Sequence, residues 1–143
     1  ERVHDGDTFW ATVPDVVSHS IRIHGADTPE VAKRDKDGKI ISKWPDQAGG
    51  LEARDWLAEQ IDGKQVTLTV KGKSYQRFVC AVHLGDRDIG MELIERGLAW
   101  AAPGYATKAQ KEAEQRARAA KVGLWKAGGK KAIEPWKYRK GAR

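Results

Sequence analysis

Leu51–Val70, LEARDWLAEQIDGKQVTLTV, changes its apolar period part-way along, and that change decides the fold. Ala53, Leu57 and Ile61 recur every four residues, with Glu52, Arg54, Asp55 and Glu59 elsewhere. This spacing predicts an amphipathic helix over Leu51–Ile61 that stops at Asp62-Gly63. From Gln65 to Val70 the period falls to two, Val66, Leu68 and Val70 against Thr67 and Thr69, which predicts a strand. Downstream, a turn containing Lys71-Gly72-Lys73 leads to a strand over Phe78–Leu84, and Gly85-Asp86 makes the next turn. A short helix follows over Ile89–Arg96, with Leu93 and Ile94 inward and Gly97 as its stop, then a third over Ala106–Ala120. Upstream, Phe9, Ala11 and Val13 alternate with Thr8, Trp10 and Thr12, Pro14-Asp15 reads as a turn, and Ile21 and Ile23 flank Arg22. The polar stretch Val31–Gly50, with Asp37-Gly38, Pro45 and Gly49-Gly50, is expected to be a long, mobile loop. Several strands, a helix, two strands and two helices suit an α+β chain built on a small Greek-key barrel of OB type.

At 143 residues and 40% hydrophobic, the chain suits one domain with its own core. No apolar run approaches the ~18 residues of a membrane span. There is no signal-peptide pattern, and the chain opens at Glu1 almost directly on chemistry-bearing residues, as a processed secreted enzyme or a trimmed chain would. Cys80 is the only cysteine, which excludes an internal disulfide and any multi-cysteine metal site; within FVCAV it reads as a small buried hydrophobe. The formal charge is +6, and it resides in the tail: residues 126–143 carry seven Lys or Arg against Glu134 alone, while residues 1–125 balance 19 against 19. Such a tail favours polyanions, or simply keeps the chain in solution.

Two acidic segments carry the chemistry: Asp5-Gly6-Asp7-Thr8, and Arg22 followed by Asp27-Thr28-Pro29-Glu30. Asp-Gly is a common turn dipeptide, and Asp27 with Glu30 three residues on has the spacing of a capping box. Val31–Lys39, however, lacks the apolar stripe of a helix to cap. Asp7, Asp27 and Glu30 are hard oxygen donors, unaccompanied by thiolates or by a histidine pair among His4, His19, His24 and His83, and such donors select Ca²⁺ or Mg²⁺ over zinc. Arg22 and Arg77 offer planar, permanently charged forks for phosphate oxygens.

Val3-His4-Asp5-Gly6-Asp7-Thr8, Arg22 five residues before Asp27-Thr28-Pro29-Glu30, Tyr75-Gln76-Arg77, Glu95-Arg96-Gly97-Leu98-Ala99 and Gly123-Leu124-Trp125 resemble the staphylococcal nuclease family in order and spacing. Pro135-Trp136-Lys137-Tyr138-Arg139 resembles the Pro-Trp-x-x-Arg ending of its bacterial members. The resemblance implies a five-stranded Greek-key OB-fold barrel with three helices. It also implies a calcium-dependent, sugar-nonspecific nuclease that cuts DNA and RNA and leaves 3′-phosphate ends. Asp7 and Asp27 match the calcium carboxylates, and Thr28 the residue whose main-chain carbonyl also binds the metal. Glu30 matches the carboxylate that positions or deprotonates the attacking water, Arg22 and Arg77 the arginines on the scissile phosphate, and Asp5 an acid near the metal's waters. Tyr75 and Tyr105 are candidate platforms for stacking on bases.

The chain departs from the family's best-known member at Ser74 and Gln76, where a lysine and a glycine flank the tyrosine, and in the loop Val31–Gly50. Its base-pocket tyrosine pair is reduced to Tyr105. The strand before Asp5 is short, so the barrel is expected to borrow residues outside this numbering. Trp56 and Trp125 are assigned to the core; Trp44, beside Pro45, is a candidate to touch substrate. The expectation is a nuclease domain over residues 1–125 and a basic tail over 126–143 that raises affinity for nucleic acid through its phosphates. The protein is expected to act as a monomer with single strands favoured, without a membrane, in a secreted or periplasmic setting. The alternative is a catalytically weak nuclease-fold module that binds nucleic acid.

Overall fold

In the computed structural model, which describes residues 2–12, 18–129 and 132–142, the period change becomes a helix and a strand. Helix α1 spans Gly50–Ile61 and buries Gly50, Ala53, Leu57 and Ile61, the four-residue stripe read from the sequence. Leu57 is fully buried, a placement that stabilises by roughly 1.5–3 kcal/mol relative to an exposed side chain. Strand β5 runs over Thr67–Ser74 and β6 over Arg77–Leu84. Ahead of α1 lie β1 (Arg2–Asp5), β2 (Thr8–Ala11), β3 (His19–Ile23) and β4 (Ala26–Asp27). After β6 come β7 (Arg87–Asp88), α2 (Ile89–Glu95), β8 (Trp100–Ala101), α3 (Lys108–Ala120), a 3-10 helix over Gly123–Gly129 and α4 (Pro135–Arg139).

One sheet holds β1-β2-β3-β6-β5, with β7 also on β6; β4 and β8 form a separate antiparallel pair. β3 and β6 are parallel and the other pairs of the main sheet antiparallel. Phe9, Ile21, Ile23, Cys80 and Val82 point from this sheet onto Leu57, Ile89, Leu93 and Ile94, which forms the main core. A second cluster joins Trp100, Ala117 and Trp125, with Trp136 against it. Trp56 packs half-buried against the main core, and burial pushes the Cys80 thiol up.

Several expectations are corrected. The sheet does not close into a barrel: among the described residues β5 pairs with β6 alone, and β1, four residues long and bulged between Val3 and Asp5, packs against α1. Four α-helices are described rather than three, because Pro135–Arg139 is helical. Five residues are too few to print a period; Pro135 at the first helical position was the local signal. Lys71-Gly72-Lys73 is not a turn but lies inside β5, where a bulge between Val70 and Gly72 breaks the alternation. The chain reverses two residues later at Tyr75, which adopts φ 55°, a left-handed conformation that costs a non-glycine residue roughly 1–2 kcal/mol. No helix follows Glu30, which removes the capping-box reading of Asp27 to Glu30. The Pro14-Asp15 turn lies outside the described residues.

The loop between β4 and α1 is tied down. Arg34 grips Asp46 with Nη1 at 3.1 Å and Nη2 at 2.6 Å, and Gln47 joins Glu30 to Ile133. Its far end, where α1 begins, presses on the site: a Cβ at Gly50 would lie 2.5 Å from the Glu30 carbonyl oxygen and 3.2 Å from that of Pro29. Gly50→Ala is therefore expected to cost about 1–3 kcal/mol through overpacking, read as a lower urea midpoint at unchanged slope. An unshifted midpoint would mean that α1 and the Glu30 segment separate without cost.

Candidate active site

The β1–β2 turn places the first acids. Asp5 ends β1, Asp7 precedes β2, and the Asp7 N–H donates to Asp5 Oδ1 at 3.2 Å. Asp7 is locked: its Oδ1 accepts from Thr8 Oγ1 at 2.9 Å, its Oδ2 accepts from the Thr28 N–H at 2.8 Å, and its carbonyl accepts from the Ile23 N–H at 2.8 Å. Gly6 permits this closure, because a Cβ there would sit 2.7 Å from Thr28 Cγ2. Arg22 comes from β3, opposite Thr8, and its side chain bridges Asp7 Oδ1 at 3.7 Å and Asp27 Oδ1 at 3.5 Å. β4 delivers Asp27 through its pairing with Trp100 of β8. Glu30 follows three residues later, its N–H on Gln47 Oε1 and its carbonyl oxygen taking the Gln47 N–H.

Asp5, Asp7, Asp27 and Thr28 are all buried. Burial, followed by the neighbouring charge of Asp7, pushes the Asp5 carboxyl well above its usual range. Burial works against the Asp7 charge too, but Arg22 and the hydrogen bonds outweigh it and hold Asp7 low. Burial raises Glu30. Asp7 in turn holds the Arg22 guanidinium charged.

A cavity of about 660 Å³ opens over this cluster. Asp5, Arg22, Asp27, Glu30, Tyr75, Arg77 and Tyr105 line it, while Asp7 and Thr28 lie buried behind its wall. Arg77 begins β6, and among the described residues no carboxylate pairs with it, which leaves its guanidinium to an anion. Tyr75 is 93% exposed and Tyr105 71% exposed, so both present open rings at the rim. Trp44 is half-buried and not part of the lining.

Sequence reading missed three cations on these walls. Lys71 and Lys73 line the cavity because β5 continues past Gly72. Arg139 reaches it from α4, with Nη1 at 3.2 Å from Asp27 Oδ1 and 2.6 Å from Glu30 Oε1, and Nη2 at 3.0 Å from Asp27 Oδ2. Burial opposes the Arg139 charge, but its bonds to Asp27 and Glu30 prevail and hold it charged. The tail is expected to favour polyanions or to keep the chain in solution, and its helix in addition inserts a cation between two site carboxylates. The only advance signal was the Pro-Trp-x-x-Arg ending.

Among the described residues, no three His, Cys, Asp or Glu side chains close on one point to hold a metal. The donor set nevertheless fits a hard divalent cation. Asp5, Asp7, Asp27 and Glu30 cluster as carboxylate oxygen donors around Arg22 and Arg139. The buried Thr28 Oγ1 beside Asp7 has no hydrogen-bond partner. Both features suit an oxygen-seeking dication.

The chain is 28% identical over 141 residues to an uncharacterized endonuclease of Haemophilus influenzae, covering 97% of this chain and 70% of that protein. It is 32% identical over 127 residues to a probable staphylococcal-like nuclease, CAN4, of Oryza sativa, covering 87% of this chain and 22% of the relative. It is 33% identical over 117 residues to a probable endonuclease, lcl3, of Pyrenophora tritici-repentis, covering 73% and 40%. The chain thus spans less than half of the latter two proteins. A family model described as staphylococcal nuclease homologue matches residues 20–127, and with it the chain belongs to the staphylococcal nuclease family.

Proposed function

We propose that this protein is a calcium-dependent, sugar-nonspecific nuclease that hydrolyses phosphodiester bonds in DNA and RNA and leaves 3′-phosphate ends. The observation that carries the reading is the convergence of Asp5, Asp27, Glu30, Arg22 and Arg77 on one open cavity. The names of the relatives support the reaction class. Asp7, Asp27 and the Thr28 carbonyl would hold the calcium ion, which supplies Lewis-acid stabilisation of a phosphate oxygen and neutralises the acidic cluster. Asp7 cannot swing away, because both its carboxylate oxygens already accept hydrogen bonds. Glu30 orients a water and takes its proton as the water oxygen adds to phosphorus, the P–O5′ bond breaks, and the departing 5′-oxygen takes up a proton from solvent to leave as a hydroxyl. Arg22 and Arg77 neutralise the charge that builds on the phosphate. Lys71 and Lys73 hold the flanking backbone without reading sequence. Tyr75 and Tyr105 stack on unpaired bases, each worth ~1–3 kcal/mol, which favours single strands. No described helix is long and apolar enough to cross a membrane. A calcium-rich secreted or periplasmic compartment suits this chemistry.

The test is cleavage of end-labelled single-stranded DNA and RNA with calcium, with magnesium and with chelator. Cutting in calcium, lost on chelation, with 3′-phosphate products on both substrates, is expected. Salt-sensitive binding without cutting in any metal would replace this reading with a nucleic-acid-binding module.

A further inference from the structure

Arg139 does more at this site than balance charge. Its helix is anchored on three sides. Pro135 is buried, Trp136 meets Trp100 edge-on at 6.4 Å, and the Tyr138 hydroxyl donates to the Pro45 carbonyl at 2.9 Å. Ile133, two residues before the helix, is held as well, since Gln47 Nε2 donates to the Ile133 carbonyl. The same Gln47 side chain accepts the Glu30 N–H. Glu30 is therefore held twice by one piece of chain: its backbone through Gln47 and Ile133, its carboxylate through Arg139 Nη1 at 2.6 Å. The fork of Arg139 also reaches both Asp27 oxygens, which sets the direction from which it grips Glu30. An alkylammonium also has three donors, but they radiate from one atom and cannot reproduce the two-nitrogen fork that grips both Asp27 oxygens while reaching Glu30.

The geometry points to Arg139 as a positioning residue for Glu30: the C-terminal helix completes the active site by fixing the carboxylate that orients the attacking water. This rests on the nuclease reading above. It also extends the working unit of the chain past residue 127, where the family match ends. Arg139 acts through Glu30, so its loss should reduce turnover rather than substrate binding.

The experiment uses the full chain with Arg139→Ala and Arg139→Lys. Steady-state cleavage is followed in calcium, melting temperature is measured, and calcium affinity is read separately by calorimetry on protein without nucleic acid. Arg139→Ala is expected to lose about 10- to 100-fold in kcat, the usual cost of removing a group that orients an active-site ligand. KM should stay within about threefold of wild type, roughly 0.7 kcal/mol. Millimolar ethylguanidinium should restore part of the lost kcat in Arg139→Ala, and Arg139→Lys should remain impaired. A variant that has merely lost structure would not respond to the added guanidinium. Cleavage by Arg139→Ala at the wild-type rate overturns the proposal. So does faster cleavage with at least tenfold tighter calcium binding, which would make Arg139 a plug in the metal position. A lost rate that guanidinium cannot restore assigns the residue to folding and likewise overturns it. If wild-type protein cuts in no divalent metal, the nuclease reading falls and takes this one with it; an active wild type with an active Arg139→Ala sinks this one alone.

Discussion

Glu30→Gln is expected to lower phosphodiester cleavage by about 10²- to 10⁴-fold, the range for removing a positioned general base, while leaving the fold in place. The amide keeps the size of the side chain and can still accept from Arg139 Nη1, but it can take no proton from water. Stability should not fall with activity. Burial raises the folded pKa of Glu30 above its usual value, so its neutral form is the one that folding favours. Stability that is present below the unfolded pKa near 4.5 is lost as pH rises through the higher folded value, and at neutral pH the ionised side chain costs stability. A neutral glutamine avoids that cost, so the metal-free variant should melt at or above the wild-type temperature. Cleavage within tenfold of wild type would remove Glu30 from the mechanism. A large fall in melting temperature would assign the lost rate to misfolding instead.

Arg22→Ala is expected to damage both rate and stability. Removing one fixed donor aimed at developing charge costs about 10²- to 10³-fold. The structural cost is separate. Arg22 stands between Asp7 and Asp27, whose side chains are only 3% and 5% exposed. Its removal leaves Asp7 without its main counter-charge. A stability loss of about 3 kcal/mol is expected in metal-free protein, at the low end for breaking a buried pair because Arg22 itself is 22% exposed. The two effects separate with calcium. A cation bound among the carboxylates stabilises the folded state by mass action, so added calcium should restore the melting temperature of Arg22→Ala while the rate stays low. If calcium restores neither, Asp7 and Asp27 do not bind it.

What was legible in the sequence is what period and local chemistry control. The α1 stripe of Ala53, Leu57 and Ile61 and the apolar positions Phe9, Ile21 and Ile23 appear where alternation put them, because burial of one face is a local constraint. The capping box that starts α3, with the Gln110 N–H on Thr107 Oγ1 at 3.1 Å and the Thr107 N–H on Gln110 Oε1 at 2.9 Å, lies one residue past the expected start. Period failed where a bulge reset it at Gly72, so two lysines read as a turn now line the cavity.

The acidic and arginine positions were readable from motif order, since each of Asp5, Asp7, Arg22, Asp27, Glu30 and Arg77 stands in a recognisable local context. Their residue types alone determined that the site carries hard oxygen donors and permanent cations. Only the tertiary structure decided which of them meet. Asp7 is oriented by Thr28, 21 positions away, and Glu30 by Arg139, 109 positions away. Charge counting along the chain could place the basic tail outside the domain, but not fold Pro135–Arg139 back onto Trp100 and Pro45. That return depends on aromatic packing and on hydrogen bonds between distant segments, from Tyr138 to Pro45, from Gln47 to Ile133 and from Arg139 to Asp27 and Glu30. No local pattern encodes such contacts, because they exist only once the core has brought both surfaces together.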